Sequence, residues 1–326
     1  MIATAPYFLE LFIYFDDFYV KGGVYSFMKK SLPWYIMLIL PVVGMLVFNI
    51  YPLIQTTIDS FQNSKNAFIG LVNYNILLSD AEFHQAFGNT IYMAILGVCF
   101  NIPIAFCVAN MLNNIPVGKN VYKVFFLLPM VLSMVTVGTL FKYLLSADTR
   151  GIVNHILGMI GLGPYKFFND VSSARESVVA MAIWKGLGYN IIVFFAGLQV
   201  VPRELFEAAK VDGASEWKQW LHITIPSIKN TFTFVLITST IAALKRFTEV
   251  YAISGEYGSP AGALYTLMLY IYRNSFSTLN YKDLGRASSA AMVLFVLIFV
   301  ITAINFKLTS GDNTATKQLK KRGRAK

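Results

Sequence analysis

The 326-residue chain is 56% hydrophobic and only 13% charged, with a mean hydropathy of +0.56. That balance excludes an ordinary soluble domain, whose surface would carry far more charge. The formal net charge of +10 gathers at the ends of apolar segments, which points to membrane loops and away from a nucleic-acid surface.

Residues 1–30 open the chain as an extension with an aromatic, aliphatic stretch at 8–20. Glu10, Asp16 and Asp17 interrupt it. It is too short and too acidic to span, and it lacks the basic start of a signal peptide. An interfacial helix and an extension of little function both remain open.

A membrane helix needs roughly 20 apolar residues. Six stretches qualify, at 34–57, 87–112, 121–145, 178–200, 232–254 and 286–306. Pro41, Pro52, Pro103 and Pro129 fall inside the first three. Proline is tolerated in a membrane helix when neighbours re-satisfy the freed backbone, so none of them has to break a span. The expected fold is therefore all-α: a six-helix membrane bundle occupying 31–308, followed by a basic tail at 309–326 that ends in KKRGRAK.

Orientation follows from the loops. One alternating set carries sixteen lysines and arginines and the other seven, so both termini are expected in the cytoplasm of a bacterial cell. Cys99 and Cys107 are the only cysteines. They sit about two turns apart on one helix, cannot bridge, and read as small packing residues. His84, His155 and His222 lie in separate loops, so no metal site is expected. Gly118-Lys119 is followed by Asn120 and fails as a phosphate-binding loop. No nucleophile–base constellation is apparent, and the chain is expected to be non-catalytic.

The informative loop lies between the fourth and fifth stretches, at 200–228. Pro202 suits the start of a helix, and Arg203 to Val211 reads as that helix, with Ala208 and Ala209 presenting little side chain. Gly213 permits a left-handed turn. Ser215 can cap a second helix that carries Trp217, Trp220 and Leu221. Pro226 then ends the unit. The expectation is a helix–turn–helix at the cytoplasmic surface, with room for another protein to approach the alanines and the tryptophans holding it to the embedded body.

The spacing of Glu207-Ala208-Ala209, three residues, Gly213, nine residues and then Ile223-x-x-Pro226 resembles the EAA loop of binding-protein-dependent ABC importers. Ile225 stands where the family usually has leucine. The resemblance to sugar permeases of the maltose-transport type covers about 31–308. It includes 40–61, the short outer helix expected at 151–163 and the outer loop at 257–276. It implies a type I importer permease in the plasma membrane that pairs with a second, different permease subunit. Two cytoplasmic ATPase subunits would bind ATP and Mg, and an extracytoplasmic binding protein would deliver a carbohydrate. It implies that Glu207, Ala208, Ala209, Asp212, Gly213, Ile223 and Pro226 couple ATPase motion to alternating access. A permease for another solute such as a glycerol phosphate is the alternative. An ion-coupled secondary transporter is a further one, with Glu249 as its relay carboxylate.

Charge inside a span is costly and usually functional or paired. Lys142 and Lys185 read as snorkelling groups near the outer ends of their spans. Lys245, Arg246 and Glu249 stand at i, i+1 and i+4, so either cation can meet the carboxylate. They form an internal ion pair or line the pathway. If the cations face the pathway, an acidic sugar becomes the candidate substrate. Trp184, Tyr189 and Asn190 can offer a stacking face and hydrogen bonds to a sugar ring. Asn101 and Asn110 can do so too, or can pin helix to helix.

Overall fold

The computed structural model describes residues 37–148, 151–277 and 282–310. The extension at 1–30 and the basic tail from 311 onward lie outside them. The chain divides into two compact units, 1–58 and 59–326.

Helix α1 (Met37–Ser60) contains all the described residues of the first unit and ends just past its boundary. A π-turn at Leu46–Ile50 interrupts it, in which Tyr51 N–H donates to the Leu46 carbonyl five residues back. Pro52 follows directly. Its ring lacks an N–H and crowds the carbonyl four residues earlier, and the widened turn makes room.

Among its described residues, the regular structure of the second unit is helical. Short α2 (Val72–Ser79) leads into α3 (Ala81–Asn114). Asp80 starts α3 by accepting a hydrogen bond from Glu82 N–H at 2.9 Å, the usual N-cap device. At 34 residues, α3 is longer than the hydrocarbon core requires, and Pro103 lies within it without ending it. Then come α4 (Lys119–Val131), α5 (Met134–Leu144) and α6 (Ile152–Met159). Next in order are α7 (Ala174–Gln199), α8 (Arg203–Val211) and α9 (Glu216–Ser227). The chain finishes with α10 (Lys229–Leu244), α11 (Thr248–Ser254), α12 (Leu267–Phe276) and α13 (Leu284–Ser310).

Helix α3 packs along α7, which also carries α4, while α10 lies against α3 and α13. Two apolar clusters fill the bundle. One centres on Met93, Val137, Val178, Met181, Leu244 and Leu267, the other on Ile102, Phe106, Ile191, Phe194 and Val235. Gly188 allows the closest approach, since a Cβ there would collide with the Phe126 carbonyl of α4. Both cysteines are free thiols on exposed positions, so they are unpaired as expected but lie outside the packed interior of the bundle.

Among the described residues four helices, α1, α3, α7 and α13, are each long and apolar enough to cross a membrane, and counting each of two bent pairs as one span brings the total to six. The bent pairs depart from the uninterrupted spans expected at 121–145 and 232–254. In the first, α4 and α5 meet at 96°. Leu132 and Ser133 are extended between them, and Ser133 Oγ caps α5 through Thr136 N–H. Pro129 is tolerated inside α4, but the chain turns three residues later. The break frees the last carbonyls of α4, and Lys185 Nζ donates to one of them, Met130 O, at 3.0 Å. Lys185 is thus a helix cap as well as a membrane lysine. In the second pair, α9 bends by 69° against the Lys229–Tyr257 stretch. That stretch is itself interrupted at 245–247, between α10 and α11.

Candidate functional site

Two regions of the second unit carry functional geometry: the arm formed by α8 and α9, and a cavity inside the bundle.

In the arm, Pro202 is extended and precedes α8, whose first helical residue is Arg203. The helix closes with Asp212 N–H to Ala208 O at 3.0 Å, Gly213 N–H to Lys210 O at 3.1 Å and Ala214 N–H to Ala209 O at 2.9 Å. Gly213 has φ +72°, and a Cβ there would meet nothing within 4 Å. The backbone angle, not crowding, is what calls for glycine. Glu207, Ala208, Asp212 and Gly213 are exposed and Ala209 is half-buried. Leu205 and Val211 add exposed apolar surface to the same short helix. Ile223 is half-buried, and Pro226 is exposed just after a second π-turn, Trp220–Thr224. Here Ile225 N–H donates to Trp220 O, the same accommodation as before Pro52.

Trp220 fastens the arm. Its ring stacks on Phe106 of α3 with centroids 5.3 Å apart, and Phe106 in turn meets Phe232 at 4.7 Å and Phe194 at 5.5 Å. Trp217 is exposed and stacks on the outer face of Trp220 at 5.0 Å. A second fastener escaped the sequence reading. The buried Gln219 side chain donates to the Ala214 carbonyl at 2.8 Å, locking the second helix onto the turn. A glutamine in an amphipathic segment gives no sign that it faces inward.

The cavity has a volume of about 450 Å³ and opens beside both helix breaks. Asn101 and Gly97 of α3, Met130 of α4, Lys185, Tyr189 and Asn190 of α7, and Ser239, Arg246, Thr248 and Glu249 of the broken fifth span border it. Asn190 donates to both Asn101 Oδ1 and Ser239 Oγ, so one buried amide ties three helices where they face the cavity. The helix-pinning and pathway readings of Asn101 thus describe one place. Asn110 is half-buried and is not among the residues bordering the cavity.

Of the two cations that could meet Glu249, Arg246 is the one that does. Arg246 is buried and its Nη1 stands 3.8 Å from Glu249 Oε1, across the break that starts α11. Lys245 ends α10, exposed and away from the cavity. Trp184 also lies off the cavity, its ring 5.4 Å from that of Phe141. Lys142 borders a separate hollow of about 420 Å³ together with Phe168, Ser259 and Pro260.

At the end of the bundle opposite the arm, the start of α3 is bound to α12 and α13. Tyr270 O–H donates to Asp80 Oδ2 at 2.6 Å, Arg286 stands 3.7 Å from the same oxygen, and Arg273 pairs with Glu82 at 3.1 Å. Burial, with the Asp80 carboxylate adding to it, pushes the Tyr270 phenol well above its ordinary range. Burial also pushes Tyr265 up to about 12.

A multi-pass helical bundle with a cavity between broken spans, apolar over most of its wall with a few polar and charged groups, and an arm held out on one side fit a membrane transport subunit. The chain belongs to the family described as the binding-protein-dependent transport system inner membrane component, which it matches over residues 101–308. It is 33% identical to the arabinooligosaccharides transport system permease protein AraP of Bacillus subtilis, over 86% of this chain and 89% of the relative. It is 34% identical to the lactose transport system permease protein LacF of Rhizobium radiobacter, over 80% and 87%. Among solved structures, it resembles a chain of a bacterial ABC transporter involved in the import of the acidic polysaccharide alginate. The TM-score there is 0.78 and the identity 25%, covering 89% of this chain and 99% of that one.

Proposed function

We propose that this chain is one of two pathway subunits of an ATP-driven oligosaccharide importer, and that its α8–α9 arm couples the pathway to a cytoplasmic ATPase. The observation that carries this is the arm itself. It presents Glu207, Ala208 and Asp212 outward around the Gly213 turn, while Trp220 fixes its inner side to α3. A load applied to α8 therefore has a packed route into the helices that border the cavity. The cavity's amides and hydroxyls suit a sugar's hydroxyl groups. In this reading both termini are cytoplasmic, and a second permease subunit completes the pathway. An external binding protein delivers the sugar, and ATP and Mg sit on the two ATPase subunits. The sugar-transport names of the relatives support the substrate class.

The test compares wild type with Gly213→Asp, co-expressed with the adjacent ATPase. Wild type is expected to co-purify with it and to show sugar uptake with ATP hydrolysis. In the variant a side chain forced to positive φ, with an added charge, uncouples the two. Uptake that follows an ion gradient with no ATPase bound would refute the reading and direct attention to Glu249.

A further inference from the structure

The cavity contains a cation whose hydrogen-bonding capacity is unmet. Arg246 is 7% exposed, and neither its Nε nor its Nη1 has a hydrogen-bond partner among the described residues. Glu249, at 3.8 Å from Nη1, is beyond hydrogen-bond reach. Nη2 rests against Gly97, where an added Cβ would lie 3.3 Å away, so glycine at 97 leaves the guanidinium its room. A charged side chain inside a span is costly to place and is kept where it faces a pathway or a partner. Buried N–H groups left unpaired add to that cost. Both N–H groups are sealed from solvent in this conformation, so an acceptor entering the cavity reaches them only when alternating access parts the walls around the guanidinium.

We infer that Arg246 selects for a negatively charged sugar, taking the carboxylate of a uronate unit, while the neighbouring amides and hydroxyls take ring hydroxyls. This rests on the importer reading above. A guanidinium presents its donors in a planar fork that fits a carboxylate. Glu249 holds the guanidinium by charge without consuming its N–H groups. Lys185 is the second cation on the wall, already donating to Met130 O. The ionised groups bordering the cavity are Lys185, Arg246 and Glu249, which together leave a single positive charge. That balance matches one carboxylate better than a doubly charged phosphate. Asn101, Asn190, Ser239 and Tyr189 border the same space, so a sugar bound through Arg246 has hydroxyl partners at hand. The acidic polysaccharide handled by the transporter that this fold resembles agrees with that chemistry.

The experiment uses the complete complex, with its partner permease and ATPases. Equilibrium binding is measured in detergent without the external binding protein, and ATP-driven uptake is measured in proteoliposomes with it. The probes are tri-galacturonate, neutral galactotriose and sn-glycerol 3-phosphate. Wild type is expected to bind tri-galacturonate about tenfold or more tighter than galactotriose, a gap that Arg246→Gln removes and Arg246→Lys partly restores. Equal binding of the two sugars by wild type, or preference for galactotriose or the glycerol phosphate, overturns the inference. So does an Arg246→Gln variant that weakens both sugars alike without rescue by lysine, since that is the mark of a packing role. ATP-driven uptake of the neutral sugar alone sinks this inference and leaves the importer reading standing. No ATP-driven uptake of any probe sinks both.

Discussion

The two ends of the bundle are held together by different physics. At the arm end, Trp217, Trp220, Phe106, Phe194 and Phe232 stack or tilt against one another with centroids about 5 Å apart. At the opposite end, Asp80, Glu82, Tyr270, Arg273 and Arg286 meet through short hydrogen bonds and ion pairs. Ring stacking is weakly directional, so its partners can slide by a fraction of an ångström at little cost. A buried phenol–carboxylate bond has no such latitude, because stretching it leaves a desolvated group unpaired. One end is therefore suited to transmit a tilt and the other to resist one.

The largest expected effect comes from breaking the stacked end. Trp220→Ala removes the ring between the arm and Phe106 and should cost about 3 kcal/mol, the range for truncating a large packed aromatic. Trp217→Ala removes only an exposed outer ring and should cost well under half of that. Thermal unfolding of the purified complex measures both. Equal losses would show that the arm is fixed by its surface and not by the inner stack.

Asp80 is the matching position at the other end. It caps α3, accepts from Tyr270 and stands beside Arg286. Asp80→Ala should cost about 2 kcal/mol, from a lost cap and an orphaned buried phenol. Asp80→Asn keeps an acceptor for the cap and should recover about half. An Asn variant as damaging as the Ala variant would assign the whole effect to charge and weaken the contrast with the arm end.

How far these two ends were legible in the sequence follows from what each depends on. The arm is local: one proline, a turn glycine, a capping serine and the tryptophans all fall within 200–228, so propensity and spacing are enough to draw it. The long apolar helices are legible for the same reason, each being a single composition signal. The opposite end depends on pairs such as Asp80 with Tyr270, 190 residues apart, and no local pattern announces them. Asp80 before Ala81 and Glu82 does carry an N-cap signature. That signature is silent about the phenol it also holds. The cavity lies between. Tyr189, Asn190, Arg246 and Glu249 border it. Lys245 and Trp184 do not, because the break at 245–247 turns Lys245 outward and Trp184 packs on Phe141. Helix periodicity assumes an unbroken helix, and both broken spans defeat it.

The smallest effect at ordinary pH, and the one that separates the two ends most cleanly, is alkaline. Burial raises the Tyr265 phenol to about 12 in the folded chain, against roughly 10 when unfolded. Between those values the folded state keeps a proton that the unfolded state loses. The neutral phenol's contribution is therefore fully present below about pH 10 and falls as pH rises toward 12. At pH 11 the loss from this one group is about 1 kcal/mol. The stacked arm end has only apolar and indole rings at its centre, so it contributes no matching slope. Wild type should lose more thermal stability between pH 9 and pH 11 than Tyr265→Phe, which has no phenolic proton to release at that position. Trp220→Ala should lower stability equally at both pH values and leave the wild-type slope intact. If Tyr265→Phe keeps the full slope, the directional bonding at this end is not what fixes it, and the contrast between the two ends fails.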